Sequence, residues 1–223
     1  LGIVNGIDPE RYAPNFSAAD ARRTKRDAKV ALGNEIGLDR DDRSPLFSVV
    51  SRLTSQKGSD IFLDAIPAIV DRGARVALVG TGDAALEQGL RRAADRFPGR
   101  VAAKIAFDEG LAKRVYVASD FFVIPSRFEP CGLTQLYAMR YGAIPVVTDV
   151  GGLHDTVAPY DPAHDSGTGF VARVPSPTAL LFSPSDALTT SGDGAGRQGL
   201  GDRAMTPHGP RGDRSASTRD TPS

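Results

Sequence analysis

Residues 126–142, SRFEPCGLTQLYAMRYG, place a carboxylate, a glycine and a hydroxyl where chemistry is possible. The run follows FFVI at 121–124, which reads as an apolar strand. Glu129 then sits in a turn, and Cys131, Gly132, Leu133 and Thr134 open a helical stretch. In a parallel α/β sheet, ligands bind beyond the carboxyl ends of the strands. A helix starting there offers free backbone N–H groups and a positive dipole end, which suit an anion. Gly132 lets a phosphate approach the backbone, and Thr134 adds a hydroxyl. Glu129 accepts hydrogen bonds, so it suits hydroxyl groups better than phosphate. Together these residues point to a ligand with both a sugar and a diphosphate, although a plain strand–turn–helix has the same outline.

A second stretch, LFSVVSRLTSQKG at 46–58, ends an apolar strand near Ser51 and puts Arg52 and Lys57 in the loop that follows. Two cations in one loop can converge on a diphosphate, Arg through a planar fork and Lys as a mobile point charge. The alternative is a solvated basic loop. If both stretches lie at one edge of one sheet, the cations and the helix start face each other with Glu129 between them.

These residues also carry a resemblance. GIVNGID near the start, SRLTSQKG, SRFEPCGLTQLYAMRYGAIPVV and GGLHDTV occur in the order of the bacterial glycogen synthase and plant starch synthase family, across residues 1 to about 181. That family comprises retaining glycosyltransferases of the GT-B fold that use ADP-glucose and an α-1,4-glucan acceptor. The resemblance implies that Arg52 and Lys57 contact the distal phosphate of the donor. It places Glu129 near the donor glucose, lines the same pocket with Cys131, Gly132 and Leu133, and sets Thr134 on phosphate. Phe107, in AFDEG, stands where the family usually has a Tyr that packs on adenine. It further implies no metal and no other cofactor, since side chains and the helix dipole neutralise the leaving group. Thr148 and Asp149 stand where bacterial relatives often have two arginines. The family's N-terminal domain, with its Lys-x-Gly-Gly loop, is expected to be missing from this chain, which would leave it with little activity alone. The alternatives are a non-catalytic module that binds ADP or a nucleotide sugar, and a sucrose-synthase-type enzyme. The second usually shows another Glu eight positions after the first, where this chain has Tyr137.

Composition bounds the remaining choices. The chain has 223 residues, with 27 basic against 27 acidic, so no bulk field draws nucleic acid or an anionic membrane. One cysteine excludes an internal disulfide framework, and a small buried turn residue is the plain reading of Cys131. No apolar run approaches the ~20 residues needed to span a bilayer. No charged-then-apolar leader is present, so the expectation is a cytoplasmic protein if bacterial and a plastid one if plant-type. The first residue is Leu1, which suggests a piece of something longer.

The elements that must position these residues follow from alternation. Residues 1–44 read as an interdomain linker and a charged helix, with Ser17 and Asp20 as caps. The cations from Arg22 to Lys29 read as a solvated helix face. Strands are expected at 46–50, 75–79, 101–105, 121–124, 144–148 and 169–172. Helices are expected at 59–71, 83–96, 109–118, 133–141 and 153–157. Such alternation gives an α/β, Rossmann-like parallel sheet with helices on both faces, assigned to residues 45–181 as the donor-binding half of a GT-B enzyme.

Residues 182–223 read differently. Gly, Pro, Ser and Thr make up 22 of these 42 residues, and Phe182, Leu188 and Leu200 are the sole Phe, Leu, Ile or Val. A segment so poor in apolar surface is expected to be disordered and outside the family pattern, as after a reading-frame change. Two other patterns are set aside. Gly80, Gly82 and Ala85 mimic a dinucleotide fingerprint, but they open the second βα unit and lack the expected acidic partner, so a turn capped by Asp83 is preferred. His154 reads as an ordinary residue of a short helix.

Overall fold

The computed structural model describes residues 6–8, 10–41, 43–180, 200–203 and 205. Its six strands are β1 (Leu46–Val50), β2 (Arg75–Val79), β3 (Val101–Lys104), β4 (Phe121–Ile124), β5 (Ile144–Thr148) and β6 (Phe170–Ala172). Its helices are α1 (Ala21–Ile36), α2 (Ser59–Asp71), α3 (Ala84–Arg96), α4 (Glu109–Ala118), α5 (Thr134–Arg140) and α6 (Gly151–Thr156). The strands β1, β2, β4 and β5 are short, largely apolar and buried on both sides, the pattern of a sheet covered by helices on each face.

All strands pair in parallel, in the order β3-β2-β1-β4-β5-β6. Alternation along each strand divides the core. Phe47, Val49, Val76, Leu78 and Phe121 meet Phe62 and Ile66 of α2 on one face. On the other face, Leu46, Ala77 and Val79 meet Leu32 of α1 and Val115 of α4. Phe122 and Val147 continue that second face under α5 and α6. The chain runs outward from β1 to β3, then returns to the far side of β1 with β4. The order therefore reverses between β1 and β4, and the crevice outside their carboxyl ends is where such sheets bind ligands.

Several local expectations change. The last short helix starts at Gly151 rather than 153. Asp20 precedes α1 but makes no side-chain capping bond; its carboxylate instead accepts from the Ser17 hydroxyl. The basic run at 22–29 is not wholly a solvated face. Lys29 is buried against Asp120, and Lys25 donates to the backbone carbonyl of Ser119 at 2.5 Å. Both point inward because α1 packs across α4, where the Arg114 fork also grips Glu35 at 2.6 and 2.8 Å.

Most of 182–223 lies outside the described residues. Within the part that is described, Leu200 is buried in the main core, and Arg203 reaches Asp165 with both terminal nitrogens. At these residues the segment packs, contrary to the expectation from its composition.

Candidate functional site

The loop after β1 is built around one apolar anchor. Leu53 is fully buried; its N–H donates to Thr81 O, and its carbonyl accepts from Asp83 N. Arg52, just before it, is exposed. After it the chain turns tightly, with Lys57 N donating to Thr54 O. Gly58 ends the turn at φ +69°, and a Cβ there would lie 2.0 Å from Pro125 O at the end of β4. Glycine is what allows the two loops at the switch point to touch.

The facing loop holds a buried carboxylate. Glu129 is 8% exposed and accepts from the Ser126 hydroxyl at 3.2 Å. Ser126 O is in turn held by the Thr148 hydroxyl. Behind the loop, Gly152 N donates to Glu129 O at 3.0 Å, and a Cβ on Gly152 would strike Cys131 O. The glycine pair of GGLHDTV thus makes room for the backbone carrying Glu129 and Cys131. Across the crevice, Lys57 Nζ lies 2.5 Å from Glu129 Oε2, with side-chain exposures of 20% and 10%. The pair joins two loops that are 72 residues apart in sequence.

Arg52 of the same loop as Lys57, with Tyr12, Phe107, Tyr116 and Tyr137 among others, lines a cavity of about 290 Å3. Tyr12 stacks on Tyr137 with ring centroids 4.0 Å apart. Burial, then a hydrogen bond with Tyr12, pushes the Tyr137 phenol up to about 12, and burial raises Tyr116 further. Both stay neutral across the physiological range. Phe107 is 89% exposed, which puts its ring on the rim rather than in the core.

The structure thus brings the expected residues into two places. Lys57 and Glu129 form the polar bridge, and Cys131, Gly132, Leu133 and Thr134 follow it, each partly buried, into the seven-residue α5. Arg52 and Phe107 belong to the aromatic cavity. Arg52 and Lys57 therefore flank the Leu53 anchor and make different contacts. The residues that sequence reasoning missed are mostly supports. Arg127 grips Asp60, and Gln135, fully buried, donates to the carbonyls of Cys131 and Gly132 and to the Thr156 hydroxyl. Tyr12 was hidden by distance, since it joins Tyr137 from the segment before α1. An apolar Leu53 between two loop cations was the one available signal.

The two set-aside patterns have structural explanations. Asp83 caps α3 by accepting from the backbone N–H groups of Ala85 and Leu86, and Gly82 lets that turn lie against Leu53 O. His154 pairs with Asp149 at 2.6 Å. Among the described residues, no group of three or more His, Cys, Asp or Glu is placed to hold a metal ion, and no helix is long and apolar enough to cross a membrane.

Comparison with known proteins agrees with this geometry. A glycogen synthase of Anaeromyxobacter dehalogenans is 45% identical over 212 residues, 92% of this chain and 44% of that protein. That alignment leaves out fewer residues than lie after Leu181, so it continues into the last segment. A glycogen synthase of Streptococcus gordonii is 46% identical over 178 residues, 76% of this chain and 37% of the relative. The chain spans under half the length of these curated relatives. Among solved structures, the catalytic domain of starch synthase IV from Arabidopsis thaliana, bound to ADP and acarbose, superposes with a TM-score of 0.84 at 30% identity. It covers 93% of this chain and 45% of that one. The fold is that of the Rossmann-like C-terminal half of a GT-B glycosyltransferase. With the profile described as "Glycosyl transferases group 1" matching residues 44–181, over a switch-point crevice of this form, the chain belongs to that glycosyltransferase family.

Proposed function

We propose that this chain is the donor-binding half of a glucosyltransferase of the glycogen and starch synthase type. The reaction passes glucose from ADP-glucose to the 4-hydroxyl at the non-reducing end of an α-1,4-glucan, with retention. The observation that carries this reading is the Lys57–Glu129 bridge at the switch point, made by the loop whose Arg52 lines an aromatic cavity with Phe107. In it, residues 45–181 form the donor-binding unit, preceded by the linker and charged helix of 1–44. The compartment is the cytoplasm in a bacterium or the plastid in a plant.

The chemistry follows from donor counts. An ammonium has three N–H donors. Lys57 gives one to Glu129 and can give another to a diphosphate lying over the loop. Glu129, fixed by Lys57 and Ser126, retains acceptor capacity for sugar hydroxyls. One lysine thus ties the placing of the sugar to the placing of the leaving group. As the glycosidic bond breaks, charge grows on the diphosphate, and Arg52 and Lys57 stabilise it. Phe107 packs on the adenine, while Cys131, Gly132, Leu133 and Thr134 line the sugar and phosphate side.

Titration calorimetry with ADP, and with UDP for comparison, tests the reading. Lys57→Ala should weaken ADP binding by about 1.5–3 kcal/mol, the range for a hydrogen bond to a charged group. Equal ADP affinity in the two proteins would overturn the assignment.

A further inference from the structure

We propose that Arg127 is the positioning residue of this site: it clamps the loop after β1 to the loop after β4 and so sets where Lys57 stands relative to Glu129. The inference rests on the donor-site reading above.

Arg127 touches the β1 side on both flanks of Lys57. Its backbone N–H donates to Gln56 O at 2.9 Å, and its Nη1 donates to Ser55 O at 2.7 Å. Beyond Lys57, the guanidinium reaches Asp60 in the first turn of α2, Nη1 to Oδ1 and Nη2 to Oδ2, both at 2.7 Å. The lysine is bracketed by contacts at 55, 56 and 60, all made by a residue two positions before Glu129. Both terminal nitrogens are engaged within the protein, so this arginine acts through the loops rather than on a ligand.

Three further observations separate positioning from mere stability. The side chains of Arg127 and Asp60 are 39% and 40% exposed, and an ion pair that open to solvent contributes little to folding. The bidentate fork is directional, which a point charge is not. The turn at 54–58 is closed on itself by Lys57 N to Thr54 O and Gly58 N to Ser55 O, so it moves as one piece. A clamp at its edges therefore places the Lys57 stem. The hydrogen bonds from Arg127 also hold the Asp60 carboxyl below its usual range, which favours the charged form that the fork grips.

The test uses this chain with Arg127→Ala, Arg127→Lys, Asp60→Asn, Lys57→Ala and the Arg127→Ala/Lys57→Ala double variant. ADP affinity is read by calorimetry, thermal midpoint by dichroism, and loop order by amide hydrogen exchange. Arg127→Ala and Asp60→Asn should each weaken ADP roughly tenfold, with Arg127→Lys in between. Midpoints should move by no more than about 3 °C. Exchange should quicken at 54–58 and 126–129 while the strands stay protected. In the Lys57→Ala background, the Arg127→Ala effect should fall to within about twofold, because no lysine remains to be misplaced. A weak Lys57→Ala beside Arg127→Ala and Asp60→Asn variants that bind ADP like wild type would overturn the clamp alone. Equal affinity in wild type and Lys57→Ala would sink the donor-site reading and this proposal with it. Should Arg127→Ala fail to fold, Asp60→Asn and Arg127→Lys decide the question.

Discussion

The sheet carries a lysine–carboxylate pair at each end, and both measure 2.5 Å. At the amino end, Lys29 of α1 meets Asp120 just before β4. At the carboxyl end, Lys57 meets Glu129 across the switch point. The bond is the same, but the settings differ. Asp120 also accepts from Leu46 N at 2.8 Å, so the pair seals a helix onto the first residue of a strand. Glu129 instead sits on a loop whose neighbours are glycines and a clamp, tied to the loop whose Arg52 lines a cavity. One pair is a strut between rigid elements, while the other joins two loops and is held in place by separate supports. Charge pairing alone does not mark a site; what surrounds the pair does.

The first way to break the comparison is to remove the strut. Lys29→Met should cost about 3 kcal/mol in urea unfolding, the low end for breaking a buried pair, because it removes the direct partner of a mostly buried carboxylate that Lys25 still faces. ADP affinity of the folded fraction should stay unchanged, and a parallel loss of affinity would mean that the two ends are coupled. A middle-sized effect is expected at Gly58→Ala. The positive φ and the nearby Pro125 carbonyl should cost about 1–3 kcal/mol and displace Lys57, so stability and ADP binding should fall together. A variant as stable as wild type would show that the loops have more room than their contacts indicate.

The smallest effect sharpens the amino end. Burial lowers the Lys25 ammonium from 10.5 to about 8, partly offset by Asp120. Below pH 8 the group is charged in both states, and folding carries the cost of desolvating it. Between about 8 and 10.5 the unfolded chain binds the extra proton, so stability rises with pH. Wild type should therefore gain about 1–2 kcal/mol between pH 7.5 and 9.5 that Lys25→Met does not. Identical pH profiles for the two proteins would show that the carbonyls of Ser119 and Val117 fully compensate the burial.

Much of the fold was legible beforehand because strands buried on both faces must be continuous apolar runs. LFSVV, RVALV, FFVI and IPVVT occupy their expected spans, apolar but for Ser48 within the first, Arg75 opening the second and Thr148 closing the last. The amphipathic α2 likewise occupies its expected span. Short helices were less legible, and α6 began two residues early because its glycines serve packing against the backbone of Glu129 and Cys131 rather than helix propensity. The chemistry-bearing types, Lys57 and Glu129 above all, were visible as polar residues just after apolar strands.

What composition could not give was partnership. That Lys57 reaches Glu129, that Arg127 brackets Lys57, and that Tyr12 stacks on Tyr137 all depend on which strands become neighbours. A strand's apolar pattern says that it is buried, but not beside what. Leu200 makes the same point: a lone leucine in a Gly- and Ser-rich stretch looks unable to order anything, yet it needs only one complementary gap in a core built by residues far away. Local periodicity is set by the geometry of one segment, so one segment suffices to read it. Contacts across β1 and β4 are set by the order of the sheet, and only the assembled chain decides that.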